Sequence, residues 1–250
     1  MRLDISLSPE ILFHIGPLAI SNSFFWLLVV SVFLLLGVFW LNKSLKMRPG
    51  KIQNLVEMLV SGAYEFVETT ADDKKLARRA FPLVFTLFFF ILISNLITFI
   101  PGQAAVTIKT ADGMVPLFRA IIADYGLVFM MTMISVLTTQ IVAIYVAGPF
   151  KYIGRFLNFT SPLNFFLGLM DLIGEIAKVM SLSFRLFGNI FAGEVLGAVM
   201  LFLFPFFLPL PFAFLGLLTA VVQAFVFAVL TLVFISMAAT VAEPEAESVK

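Results

Sequence analysis

The sequence predicts an all-α polytopic membrane protein, with five transmembrane helices and one amphipathic helix lying at the interface. Three observations carry that reading. Apolar residues fill 61% of the 250 positions, and mean hydropathy is +1.08. Charge-poor runs recur, each about twenty residues or longer and so able to cross a hydrocarbon core of roughly 30 Å. Most of the charges lie between these runs.

The elements follow in order. Residues 1–21 contain acids and prolines, without the basic-then-apolar pattern of a signal peptide, and are read as a mature segment outside the membrane. Asn22–Leu41 carries no charge and is the first span. The polar segment 42–80 holds eight basic residues: Lys43, Lys46, Arg48, Lys51, Lys74, Lys75, Arg78 and Arg79. Within it Ile52, Leu55, Val56, Leu59, Val60 and Ala63 recur at helical spacing opposite Gln53, Glu57 and Ser61, the pattern of an interfacial helix. Phe81–Ile100 is the second span, closed by Pro101 and Gly102. A polar loop over 101–121 leads to a third span over 122–147.

The last part of the chain differs. Leu163–Phe204 lacks proline, so a single helix there reaches about 60 Å and must tilt steeply or run partly along the interface. Pro205, Pro209 and Pro211 form a turn, and a fifth span over 211–241 completes a long, tilted hairpin before an acidic tail at 242–250. Cations concentrate in 42–80 and at Lys151 and Arg155, whereas 101–121 holds only Lys109 and Arg119. The positive-inside rule then puts the N-terminus outside and the C-terminus in the cytoplasm. The whole is one membrane domain.

Composition excludes several functions. With no cysteine there is no disulfide or thiol chemistry, and His14 is the only histidine, so no metal site is expected. A net charge of +1 offers no basic face for nucleic acid. No Walker-type glycine loop and no Ser/His/Asp set is present, so the chain is not catalytic alone and needs no cofactor.

One residue demands a partner. Arg185 stands in the apolar run Ser181–Leu196, and Val195–Ala242 contains no Asp, Glu, Lys or Arg at all. A guanidinium at bilayer depth costs roughly 2.5 kcal/mol or more. At helical pitch Asp171, Glu175, Lys178, Arg185 and Asn189 share an arc of about 80°, with Asp171 about 21 Å below Arg185. Glu194 lies about 13.5 Å beyond Arg185 and on the opposite face. Arg185 has no acid three or four residues away. The other spans supply none at mid-depth, since Asp124 falls at a helix end. Its counter-charge must therefore come from water or another polypeptide; the bland alternative is a snorkelling or carbonyl-bound clamp. In the last span, Gln223 is the one strong side-chain hydrogen-bonder, with Thr219 and Gly216 on the same face.

These residues carry a family resemblance. SLSFRLFGNIFAGE from Ser181, QAFVFAVLTLVFIS from Gln223 and FPLVFTLFFFILISNLITFIPG from Phe81 are similar to subunit a of F-type ATP synthases, over roughly 20–241. The resemblance implies a proton-translocating stator subunit in a bacterial inner membrane. Its partners would be the c-ring with its mid-membrane carboxylates, the peripheral-stalk b subunits, the rest of the synthase and the lipid bilayer. Arg185 would drive each ring carboxylate to release its proton and block a short-circuit between two offset half-channels. Asn189 and Gln223 match polar residues near that arginine, and Glu194 matches the acid of the outside half-channel. Asp171 stands where relatives have Glu on the cytoplasmic side, and Glu175 is placed to share that role. Gly216 departs from relatives with His or Glu there, leaving Glu194 to be oriented by water or Gln223. Two rival readings are a self-contained channel or exchanger, disfavoured by the lack of an inverted repeat, and a membrane scaffold with no proton path.

Overall fold

The computed structural model describes residues 9–100 except 17, 106–148 except 111 and 112, 161–204 and 209–242, together with 152, 154, 156 and 207. The first eight residues, Pro101, Gly102, Lys151, Arg155, Pro205 and the acidic tail lie outside these.

The chain enters through a small antiparallel hairpin, β1 (Ile11–Ile15) and β2 (Leu18–Ser21). Ser21 ends it and caps the next helix, accepting a hydrogen bond from the Phe24 N–H at 3.2 Å. That helix, α1, runs Asn22–Ser44. The segment read as one polar stretch is divided between three elements. The first span extends to Ser44, the amphipathic helix α2 covers Lys51–Ala71, and α3 begins already at Lys74 and runs to Thr98. Asp72 turns the chain in the left-handed region, φ 53°. Asp73 then caps α3 by accepting from the Lys75 N–H at 2.8 Å. Lys74, Lys75, Arg78 and Arg79 therefore lie on the first turns of the second span instead of preceding it, because the cap and not the charge boundary starts the helix.

The loop expected over 101–121 also has structure. Strands β3 (Thr107–Thr110) and β4 (Gly113–Pro116) form a second hairpin, and a 3₁₀ turn at Ile121–Ala123 is fully buried. Asp124, which caps rather than spans, accepts from the Gly126 N–H at 2.9 Å and starts α4 (Tyr125–Ala147). The long helix α5 occupies Pro162–Leu203, 42 residues, or about 63 Å, twice a bilayer core. Then α6 runs Pro209–Ala242. Pro209 and Pro211 sit in its first turn, where a missing N–H costs least.

Among the described residues, five of the six α-helices introduced above, all but α2, are long and apolar enough to cross a membrane. The centre of the bundle is α6, which packs against α2, α3, α4 and α5. Its small residues Ala220 and Ala224 let neighbours approach, with Ile91, Val128, Leu186 and Phe227 filling the space between. Polar contacts tie the helices at depth. Asn95 Nδ2 donates to the Ala220 carbonyl at 3.2 Å, and the hydroxyls of Ser135 and Thr231 bond at 2.7 Å. Such bonds are worth about 0.6 kcal/mol each. The far end of α2 joins a second cluster through Val67 and Ala71, against α3 and α6; its first turns remain exposed.

Candidate functional site

The sequence of α5 divides it lengthwise. Leu182, Ser183, Leu186 and Ile190 are buried in the bundle, whereas Ser181, Phe184, Arg185, Asn189, Ala192 and Gly193 stay exposed along the other side. Arg185 thus projects from an unpacked face. Its Nη2 donates to the Ser181 hydroxyl, one turn back, at 3.2 Å. No carboxylate among the described residues pairs with it.

Below Arg185 the polar stripe bends into the bundle. Glu175 accepts from the Gln140 side-chain amide of α4 at 2.6 Å and from the Lys178 ammonium at 2.8 Å. Lys178 also lies 5.1 Å from the centre of the Phe234 ring on α6. One acid and one base so connect three helices. Asp171 is half-buried one turn nearer the start of α5. The helical wheel puts these residues on one face with Arg185; the structure shows that face to straddle the packing boundary, with Glu175 and Lys178 inside it and Arg185 outside.

Above Arg185, Asn189 Nδ2 donates to Gln223 Oε1 at 2.9 Å, joining α5 to α6. Gln223 is buried. Its carbonyl is engaged by Asn189. Beyond this bond a cavity of about 220 Å³ opens between α3, α5 and α6. Glu194 lines it, with Thr98 at the end of α3 and Phe99 just beyond it, Asn189 and Gly193 from α5, and Gly216 from α6. Gly216 has a local cause, since a Cβ there would stand 3.1 Å from Phe99 Cε1. The ring of Phe99 takes the room that a larger side chain at 216 would need.

Sequence reasoning selected Arg185, Asn189, Glu194, Gln223, Asp171 and Glu175. The structure brings Asn189 to Gln223, sets Glu194 into the cavity, and gives Glu175 its partners. It adds Thr98, Phe99 and Gln140, none of which was singled out. Gln140 alone carried a signal, as the one amide side chain inside the uncharged run Tyr125–Ala147. No cluster of His, Cys, Asp and Glu able to hold a metal occurs among the described residues.

Comparison with known proteins identifies the family. Residues 23–236 match the family model for the ATP synthase A chain. An ATP synthase subunit a of Moorella thermoacetica is 33% identical over 231 residues, covering 91% of this chain and 95% of that protein. An ATP synthase subunit a of Geobacter sulfurreducens is 34% identical over 228 residues, covering 88% and 90%. A subunit a 2 from a Picosynechococcus species is 34% identical over 219 residues, covering 84% and 82%. With the match running from the first span nearly to the end of the last, this chain belongs to the ATP synthase A chain family.

Proposed function

We propose that the chain is the proton-conducting stator subunit in the membrane sector of an ATP synthase, and that Arg185 faces the mid-membrane carboxylates of a rotating c-ring. The observation that carries this is Arg185 itself, a cation on an unpacked face of a spanning helix with no carboxylate partner among the described residues. A passing carboxylate supplies the missing counter-charge. The guanidinium in turn favours the ionised carboxylate, so the proton leaves before the ring residue goes by.

The two sides of Arg185 then serve as separate aqueous routes. Glu194 and its cavity take protons from outside, and Asn189 with Gln223 holds α5 and α6 together between cavity and arginine. On the cytoplasmic side both Glu175 oxygens already accept hydrogen bonds. We assign proton exit to Asp171, half-buried one turn nearer the start of α5, with Glu175 and its Gln140 and Lys178 partners placed to share that role. The nucleotide chemistry belongs to other subunits. The setting is a bacterial inner membrane, with the N-terminus outside, the C-terminus in the cytoplasm and peripheral-stalk b subunits as further partners.

Because the chain contains no cysteine, the ring contact can be tested by disulfide trapping. Single cysteines at Phe184 or Ala192, on the exposed side, are expected to cross-link to cysteines placed near the ring carboxylate. Cysteines at buried Leu182 or Leu186 are expected not to. The reverse pattern would overturn the assigned face. Gly216 tests the outside route. Gly216→Ala should pump nearly as well as wild type, since its Cβ would ask the Phe99 ring, itself on the cavity wall, to give by only a few tenths of an ångström. Gly216→Leu fills the cavity and should lower ATP-driven pumping several-fold in assembled complex.

A further inference from the structure

Where α1 ends and α2 begins, the chain makes an elbow with a groove of about 540 Å³. Trp40, Leu41 and Leu45 line one side, and Ile52 and Val56 the other. Lys46 and Lys51 stand in the same lining, and Lys43 and Arg48 are exposed on the same stretch of chain. No acid occurs between Asn42 and Asn54. No carboxylate among the described residues pairs with any of these four cations.

The elbow is held in shape independently of those charges. The Lys46 N–H donates to Gln53 Oε1 at 3.0 Å, and Gln53 Nε2 donates back to the Lys46 carbonyl at 3.1 Å. Glu57, the one acid of the groove, accepts from the same Gln53 amide at 2.8 Å. Gly50, at the head of α2, offers no side-chain cap, so the positive end of that helix adds to the field.

An apolar cleft at the end of a membrane span, rimmed by uncompensated cations, fits an amphiphile with an anionic head. We propose that this elbow binds an anionic glycerophospholipid of the surrounding leaflet. Its phosphate lies between Lys46 and Lys51, and one acyl chain runs along Trp40, Leu45, Ile52 and Val56. Basic pockets beside spanning helices bind such headgroups, and Trp is favoured at headgroup depth. A zwitterionic lipid would leave the cluster uncompensated.

The test uses the assembled complex in phosphatidylcholine vesicles carrying a trace of photoactivatable phosphatidylglycerol or photoactivatable phosphatidylcholine at equal mole fraction. Phosphatidylglycerol is expected to label the Trp40–Glu57 segment in clear excess. Labelling should fall about fivefold for each charge removed in Lys46→Gln and Lys51→Gln, and persist in Lys46→Arg/Lys51→Arg. Equal labelling by the two lipids, or no loss in the Gln variants, would overturn the proposal. So would a photo-cross-linking residue at Ile52 that captures a polypeptide in place of lipid.

Discussion

Arg185→Ala is expected to abolish ATP-driven proton pumping while the complex still assembles. The separation of function from assembly follows from where the side chain sits. Arg185 is exposed on α5 and bonded to one neutral hydroxyl one turn back on the same helix. Removing it leaves the buried row Leu182, Leu186 and Ile190 untouched. The proposed mechanism, in contrast, loses the only charge that ionises the ring carboxylate at the crossing. Two measurements on inverted vesicles check this. Acidification on adding ATP should fall to background, and passive proton permeability after stripping the soluble motor should rise, because nothing then separates the two routes. Arg185→Lys keeps a charge but not the planar fork, and should restore the barrier to leak better than it restores pumping. Undiminished pumping in the Ala variant would reduce Arg185 to a structural clamp.

Glu194→Gln is expected to cut pumping by about a hundredfold, the scale of losing a positioned proton-transfer group. Gln keeps the shape and the hydrogen bonding of the cavity wall, so packing against Gly193, Gly197 and Phe212 survives. What it cannot do is carry a proton. Unlike the Arg185 variant, it should leave passive permeability low, since the barrier is intact and only the supply is cut. A Gln variant that leaks, or that pumps normally, would remove Glu194 from the route. The pair of phenotypes distinguishes a gate from a feeder.

Much of this was legible in the chain. Helices α1, α4, α5 and α6 could be read because a bilayer demands long charge-poor runs, and prolines mark where α5 gives way to α6. Arg185 stood out for the same reason, being a cost with no local compensation. The elements that escaped are those whose reason is tertiary. The β3–β4 hairpin and the 3₁₀ turn are short, and Ile121–Ala123 is buried only because α1, α3, α4 and α5 converge on it. The start of α3 was hidden because Lys74 to Arg79 look like loop composition, while one capping carboxylate at Asp73 decides the matter. Gln140 could not be matched to Glu175, 35 residues away, by any local spacing. Gly216 reads as a departure from relatives until Phe99 is seen in the space beside it.

The seating of α1 has a consequence in time. Its start is buried, with the Asn22 side chain donating to the Pro116 carbonyl 94 residues later and Trp26 against Phe118 at 4.4 Å between ring centres. Beyond Val30 nearly everything faces outward, and only 6% of the span is buried. The seat is therefore made last and the helix first. At synthesis rates of about 5–20 residues per second, α1 waits roughly 5 to 20 s in lipid before its socket leaves the ribosome. Its charge-free run from Phe24 to Leu41 lets it wait there alone, and its two polar residues at the entry, Asn22 and Ser23, become the latch once the socket arrives.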